Sequence, residues 1–168
     1  PPHLMSVAKD EIPHGEELET PTEEILAQPL LFPRHGMPEL ITSESEFDAM
    51  LAELLKGRGP IAIDAERASG YKYSQRAYLI QIFRRGGGLH LIDPIEVSSP
   101  QKWKELSDTF SDEEWIIHAS TQDLPCLTEL GLEPRRLFDT ELGARIAGFA
   151  RVGLGPLAET LLQLSLAK

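Results

Sequence analysis

The chain has 168 residues, 41% of them apolar and 26% charged, with a net charge of −11 and a single cysteine. That length suits one domain with a sizeable core. Its apolar runs are too short to span a membrane, and one thiol closes no internal disulfide, so neither a transmembrane helix nor a disulfide scaffold is expected. The N-terminus has no basic-then-apolar leader pattern and the lone Cys126 fits a reducing compartment, so a cytoplasmic protein is expected. Between Pro125 and Leu127, Cys126 reads as a buried structural thiol.

Residues 1–39 hold seven prolines and many acids. They cannot bury enough apolar surface for a core of their own and read as an arm laid on the surface, pinned by Leu30-Leu31-Phe32. The domain proper is expected over 40–168. Leu40-Ile41 makes an edge strand. Thr42-Ser43 caps a helix over 44–56, with Phe47, Met50, Leu51, Leu54 and Leu55 at helical spacing, ended by Gly57 and Gly59. After Gly59-Pro60, residues 61–66 form a first, buried strand. A polar aromatic loop, 67–76, leads to a second strand over 77–83. Glycines 86–88 allow a tight hairpin into a third strand over 89–92, stopped by Asp93-Pro94. There follow a helix from Pro100 to about Phe110, a strand over 115–118, a helix over 123–130 ended by Gly131, and a short strand at Leu137-Phe138. Asp139-Thr140 then caps a helix over 141–147, and Gly155-Pro156 opens a last helix running to the end of the chain. Three strands in a meander, then alternating helix and strand, predict an α/β domain with helical crossovers.

The acidity is local. Residues 1–53 carry 12 acids and 2 bases, whereas 54–168 carry 15 acids and 14 bases. From Arg67 to Ile92 there is no acid and five bases: Arg67, Lys72, Arg76, Arg84 and Arg85. A basic strip of this kind suits a polyanion, though it equally describes a solvated loop and strand surface.

That strip starts directly after Ile61-Ala62-Ile63-Asp64-Ala65-Glu66. Residues i and i+2 of a strand share a face, so Asp64 and Glu66 stand side by side at the strand's end. Two such carboxylates need a proton or a cation between them unless both are fully solvated, and hard oxygen donors suit a divalent metal. Asp123 follows the fourth strand by a few residues, at a helix start. If the fourth strand lies parallel to the first, the rule that sites gather at the carboxyl ends of strands brings Asp123 towards Asp64 and Glu66. Three converging acids suggest a two-metal phosphodiester hydrolase. Taken singly, Asp-x-Glu equally describes two solvated acids, and Asp123 a helix cap.

These residues resemble the ribonuclease D group of 3′-5′ exonucleases, in the DEDD superfamily. Ile61-Ala62-Ile63-Asp64-Ala65-Glu66, followed by Tyr73-Ser74-Gln75-Arg76-Ala77-Tyr78-Leu79-Ile80-Gln81-Ile82, is similar to that group's first motif. Ile116-Ile117-His118-Ala119-Ser120-Thr121-Gln122-Asp123-Leu124 is similar to its second, and Leu137-Phe138-Asp139-Thr140 to the segment that follows. The resemblance spans roughly 40–168. It implies a ribonuclease H-like fold with a five-stranded mixed sheet, and 3′-5′ trimming of RNA with a free 3′ end, such as tRNA precursors, using two Mg²⁺ or Mn²⁺ ions. On the matching positions, Asp64 bridges both ions, Glu66 binds the ion that activates water, and Asp123 serves the second ion. His118 is implied to be architectural and Asp139 a helix cap. Phosphate contacts are expected from Arg67, Lys72 and Arg76 within the loop that also holds Gln75, and base stacking from Tyr71 or Tyr73, although these tyrosines equally suit closing over the core. No membrane partner is implied.

The chain departs from the group in two places. The residue after the glutamate is Arg67, where many members carry phenylalanine. The group's third motif, a tyrosine four residues before an aspartate, has no counterpart, because no Tyr or Asp follows Asp139. The chain is therefore expected to be a C-terminally incomplete exonuclease domain that holds metal poorly and hydrolyses slowly or not at all. Two alternatives stand beside the exoribonuclease: a non-catalytic nucleic-acid-binding module, and a DNA 3′-5′ exonuclease of the same fold.

Overall fold

A computed structural model describes residues 26–34, 36–67 and 76–166. In chain order its elements are β1 (Gln28–Leu30), β2 (Leu40–Ile41), α1 (Glu44–Lys56), β3 (Ile61–Arg67), β4 (Ala77–Arg84), β5 (Gly88–Ile92), α2 (Pro100–Thr109), β6 (Glu114–Ile117), α3 (Leu124–Leu130), β7 (Arg136–Asp139), α4 (Thr140–Ile146), α5 (Leu154–Leu162) and β8 (Leu164–Leu166). The main sheet runs β2-β5-β4-β3-β6-β7. Its centre is the expected antiparallel meander β3-β4-β5. β6 lies parallel to β3, and β7 parallel to β6, as the helical crossovers require.

This is the expected α/β architecture of a mixed sheet flanked by helices, with six strands rather than five. The extra strand is the Leu40-Ile41 edge, which pairs parallel with β5. The last helix does not reach the end of the chain. Gln163 takes a left-handed conformation, φ +56°, which breaks it. Leu164–Leu166 then extends and pairs parallel with Gln28–Leu30. That pairing ties residues 28–30 to the last described strand through the backbone. Leu31 and Phe32, expected to pin the arm, are 64% and 74% exposed.

One face of the sheet carries the core. α1 starts with a reciprocal cap: Ser43 Oγ accepts from the Glu46 amide at 3.3 Å, and Glu46 Oε2 accepts from the Ser43 amide at 3.0 Å. Its helical repeat buries Phe47, Met50, Leu51 and Leu54, while Leu55 falls outside the stripe and is exposed. Phe47 meets Trp103 of α2 edge to face, with centroids 5.2 Å apart. Ile61, Ile63, Ile80, Ile82, Trp115, Ile117, Cys126 and Leu127 complete the same cluster, so α1, α2 and α3 all pack on one side of the meander. Among the described residues no helix is long and apolar enough to cross a membrane.

Arg84 is buried at the closed end of the β4-β5 hairpin. Its guanidinium donates to the carbonyls of Gly59 at 3.0 Å and Leu54 at 3.2 Å and to Glu113 Oε1 at 2.6 Å, and it stacks on Phe110 at 4.9 Å. This overturns the continuous basic strip. Arg84 is structural, and it pairs with Ile61, at the opposite end of β3 from Arg67. The length of β4, about 25 Å at strand rise, separates Arg84 and Arg85 from Arg67 and Arg76.

Candidate active site

The sequence of β3 decides where its acids point. Ile61, Ile63 and Ala65 are buried against the helices, so Ala62, Asp64 and Glu66 face the other way, and both acids are exposed. The pairing of β3 with β4 shifts register between Glu66 and Arg67. Such a bulge twists the strand and re-aims the residues beside it. Asp64 sits opposite Gln81, whose Nε2 donates to Asp64 Oδ2 at 3.2 Å. Gln81 lies within the first motif, but no role was legible for it, because the cross-strand partner depends on a register that loop length alone does not fix.

Asp123 arrives from the neighbouring strand. β6 runs parallel to β3, with Ala62 opposite Ile116, so both strands end at the same edge of the sheet. The turn after β6 passes through Ala119, which holds a positive φ of +52°, and α3 then begins at Leu124. Asp123 occupies the cap position of α3 but makes no side-chain capping bond. Its carboxyl is thus not engaged in the role that offered the simplest alternative for it. Asp123 is 7% exposed, and its pKa is pushed from 3.8 to about 6: burial is the largest cause, the charge of Asp64 adds to it, Arg67 opposes it and Glu66 adds a little more. Asp64, Glu66, Arg67 and Asp123 therefore form one electrostatic neighbourhood. Among the described residues, no group of three or more His, Cys, Asp or Glu stands close enough together to hold an ion as it is. The acids converge but do not touch.

Asp139 ends β7, the next parallel strand, opposite Ile117. It caps α4, with Oδ1 accepting from the amides of Glu141 at 2.9 Å and Leu142 at 3.2 Å. It also reaches the turn before Asp123: the Ala119 amide donates to Oδ1 at 3.2 Å, and the Ser120 amide and hydroxyl donate to Oδ2 at 2.8 and 2.7 Å. Burial works against its charge most strongly, yet these bonds from Ser120, Leu142 and Glu141 hold its carboxyl below the ordinary range. The cap was expected; the second half of this network was not. His118 Nδ1 and Thr140 Oγ1 pair at 2.9 Å, a second tie between the same two strands.

Beside Asp64 an open cleft of about 310 Å³ is walled by Ala62, Gln81, Phe83, Leu89, Ile116 and His118 among others. Arg67 and Arg76 both flank the segment that leaves β3. Arg76 also lines a cavity of about 200 Å³ with Trp103 and Cys126. Cys126 is fully buried, and its thiol, raised above its ordinary pKa chiefly by burial, donates to the Asp123 carbonyl at 3.0 Å. Lys72, Tyr73 and Gln75, with Tyr71, lie outside the described residues.

Comparison with known proteins gives consistent results. A family model described as 3′-5′ exonuclease matches residues 38–168. A protein of known structure from Bifidobacterium adolescentis is 42% identical, with a TM-score of 0.80, over 84% of this chain and 34% of its own. Escherichia coli RNase D, described as an exoribonuclease involved in structured RNA processing, is 27% identical, with a TM-score of 0.66, over 79% of this chain and 35% of its own. The Aedes aegypti Nibbler EXO domain shares the fold at 20% identity and a TM-score of 0.63, over 73% of this chain and 67% of its own. The chain thus spans about a third of the length of the first two. No curated protein sequence matches it.

Proposed function

The chain belongs to the 3′-5′ exonuclease family, and we propose that it removes nucleotides from the 3′ ends of RNA, with Asp64, Glu66 and Asp123 as its metal-binding carboxylates. The observation that carries this is the convergence of those three acids at one edge of the sheet, where Asp123, its pKa raised to about 6 chiefly by burial, also feels the charges of Asp64 and Glu66. Oxygen-only donors that repel one another, with Arg67 offsetting only part of that repulsion at Asp123, fit a hard divalent cation such as Mg²⁺ or Mn²⁺. Bound there, a pair of such ions would lower the pKa of an attacking water and offset charge developing on the scissile phosphate.

This chain's own residues do the rest. Gln81 fixes the rotamer of Asp64 through its 3.2 Å bond. The β3 bulge presents Glu66 and Arg67 at the strand's end. Arg67, whose charge already opposes that of the acids at Asp123, is placed to meet a phosphate of the substrate at the strand's end. Arg76 flanks the other side of the 68–75 segment and takes the same role. A ribose-bearing substrate is supported by the likeness to E. coli RNase D, an exoribonuclease by description; tRNA precursors are one such substrate class. The division into an arm over 1–39 and an exonuclease domain over 40–168, and a cytoplasmic location, belong to the same reading.

A second reading, a nucleic-acid-binding module without catalysis, is favoured by one observation: the acids are not drawn together into an ion cage among the described residues. An end-labelled RNA incubated with Mn²⁺ separates the two. The exonuclease reading predicts slow, stepwise shortening from the 3′ end that stops with chelator and with Asp64→Ala. An equal rate in Asp64→Ala would end it. Substrates ending in ribose or deoxyribose distinguish RNA from DNA as the natural polymer.

A further inference from the structure

Asp123 reaches the site by way of a turn that is intrinsically unfavourable. Ala119 is one of two non-glycine residues with positive φ among the described residues. A left-handed conformation of a residue with a Cβ persists only where its surroundings impose it. What surrounds this turn is Asp139. Its two carboxylate oxygens divide the work. Oδ1 caps α4 and takes the Ala119 amide, and Oδ2 takes only Ser120, through both amide and hydroxyl. Ser120 is itself buried. Its carbonyl then accepts from the amides of Asp123 at 3.1 Å and Leu124 at 2.9 Å, which begin α3. A continuous set of hydrogen bonds thus runs from the end of β7, through Ser120, to the backbone that carries Asp123.

We propose that Asp139 is a positioning residue: through Ser120 it sets the turn that presents Asp123 to Asp64 and Glu66, beyond its role as the cap of α4. The inference rests on the exonuclease reading only for what Asp123 then binds. Hydrogen bonds that orient ligating carboxylates are worth roughly 10- to 100-fold in metal affinity where they have been removed elsewhere.

The test uses Asp139→Ser. A serine hydroxyl is a good helix cap and replaces the Oδ1 function, but it is too short to replace Oδ2 at Ser120. Ser120→Ala is the milder companion, removing only the hydroxyl donor and leaving the cap whole. Amide hydrogen exchange is followed in the metal-free proteins, and Mn²⁺ binding by calorimetry. In Asp139→Ser, the amides of Ala119, Ser120, Asp123 and Leu124 exchange at least about tenfold faster while those of Glu141 and Leu142 stay protected, and Mn²⁺ binds roughly 10- to 100-fold more weakly. Ser120→Ala moves both readouts the same way by less. Unchanged protection across 119–124 in Asp139→Ser overturns the proposal, and so does loss of that protection with Mn²⁺ affinity equal to the parent's. A parent chain that binds no Mn²⁺ at all contradicts the exonuclease reading instead. The exchange data then decide alone: faster exchange over 119–124 sustains the tie, and unchanged exchange refutes it.

Discussion

Asp123→Asn is expected to stabilise the metal-free protein while removing a ligand. The side chain makes no capping bond, so asparagine forfeits no hydrogen bond there. What it removes is a charge held in a buried place beside two other acids. The rise of the Asp123 pKa from 3.8 to about 6 corresponds to about 3 kcal/mol against the ionised form at neutral pH. Asp64 and Glu66 are exposed and their fields are screened, which reduces the gain to about 1–2 kcal/mol. The sign with pH follows from linkage. A carboxyl whose pKa is raised on folding binds its proton more tightly in the folded state, so the parent loses stability as pH rises from about 4 to about 6 and nothing further above that. Urea denaturation in chelator should therefore show Asp123→Asn more stable than the parent at pH 7.5, with the difference vanishing near pH 4. By heat, the gain at pH 7.5 is a rise of about 2–6 °C for a chain of this size. A variant that is no more stable at pH 7.5, or whose advantage is the same at both pH values, would refute the reasoning.

Arg84→Met leaves the Gly59 and Leu54 carbonyls without their side-chain donor and Glu113 without its cation, so it should destabilise by about 2–4 kcal/mol in urea, and a loss under about 1 kcal/mol would show the staple to be ornamental. Gly87→Ala would place a Cβ 2.9 Å from the Leu54 Cα and 3.2 Å from the Glu53 carbonyl, backbone that cannot step aside, and should lower stability by about 1–3 kcal/mol in the same assay.

The local rules carried most of the fold. Thr42-Ser43 announced α1, the glycines at 86–88 the hairpin, Gly131 the end of α3, and the parallel placement of β6 followed from the crossover rule. What failed depended on long-range partners. Residues 164–166 read as helix because leucine favours it, and they become a strand because Gln28–Leu30 offers one to pair with. Arg84 read as part of a surface basic strip because sequence gives no burial for a long side chain whose carbonyl partners come from Leu54 and Gly59. At the site, the three acids were legible because strand periodicity and motif spacing are local facts. Gln81 against Asp64 and Asp139 against Ser120 were not, since both depend on the register between strands.

The central claim is that Asp64, Glu66 and Asp123 meet around metal. Anomalous diffraction from crystals of the chain soaked in millimolar Mn²⁺ tests it most directly. The account predicts manganese within coordinating distance of the Asp64 and Glu66 carboxylates, with Asp123 turned to the same density. Manganese bound elsewhere with those three carboxylates bare, or Asp123 facing away from a metal held by the other two, would contradict it.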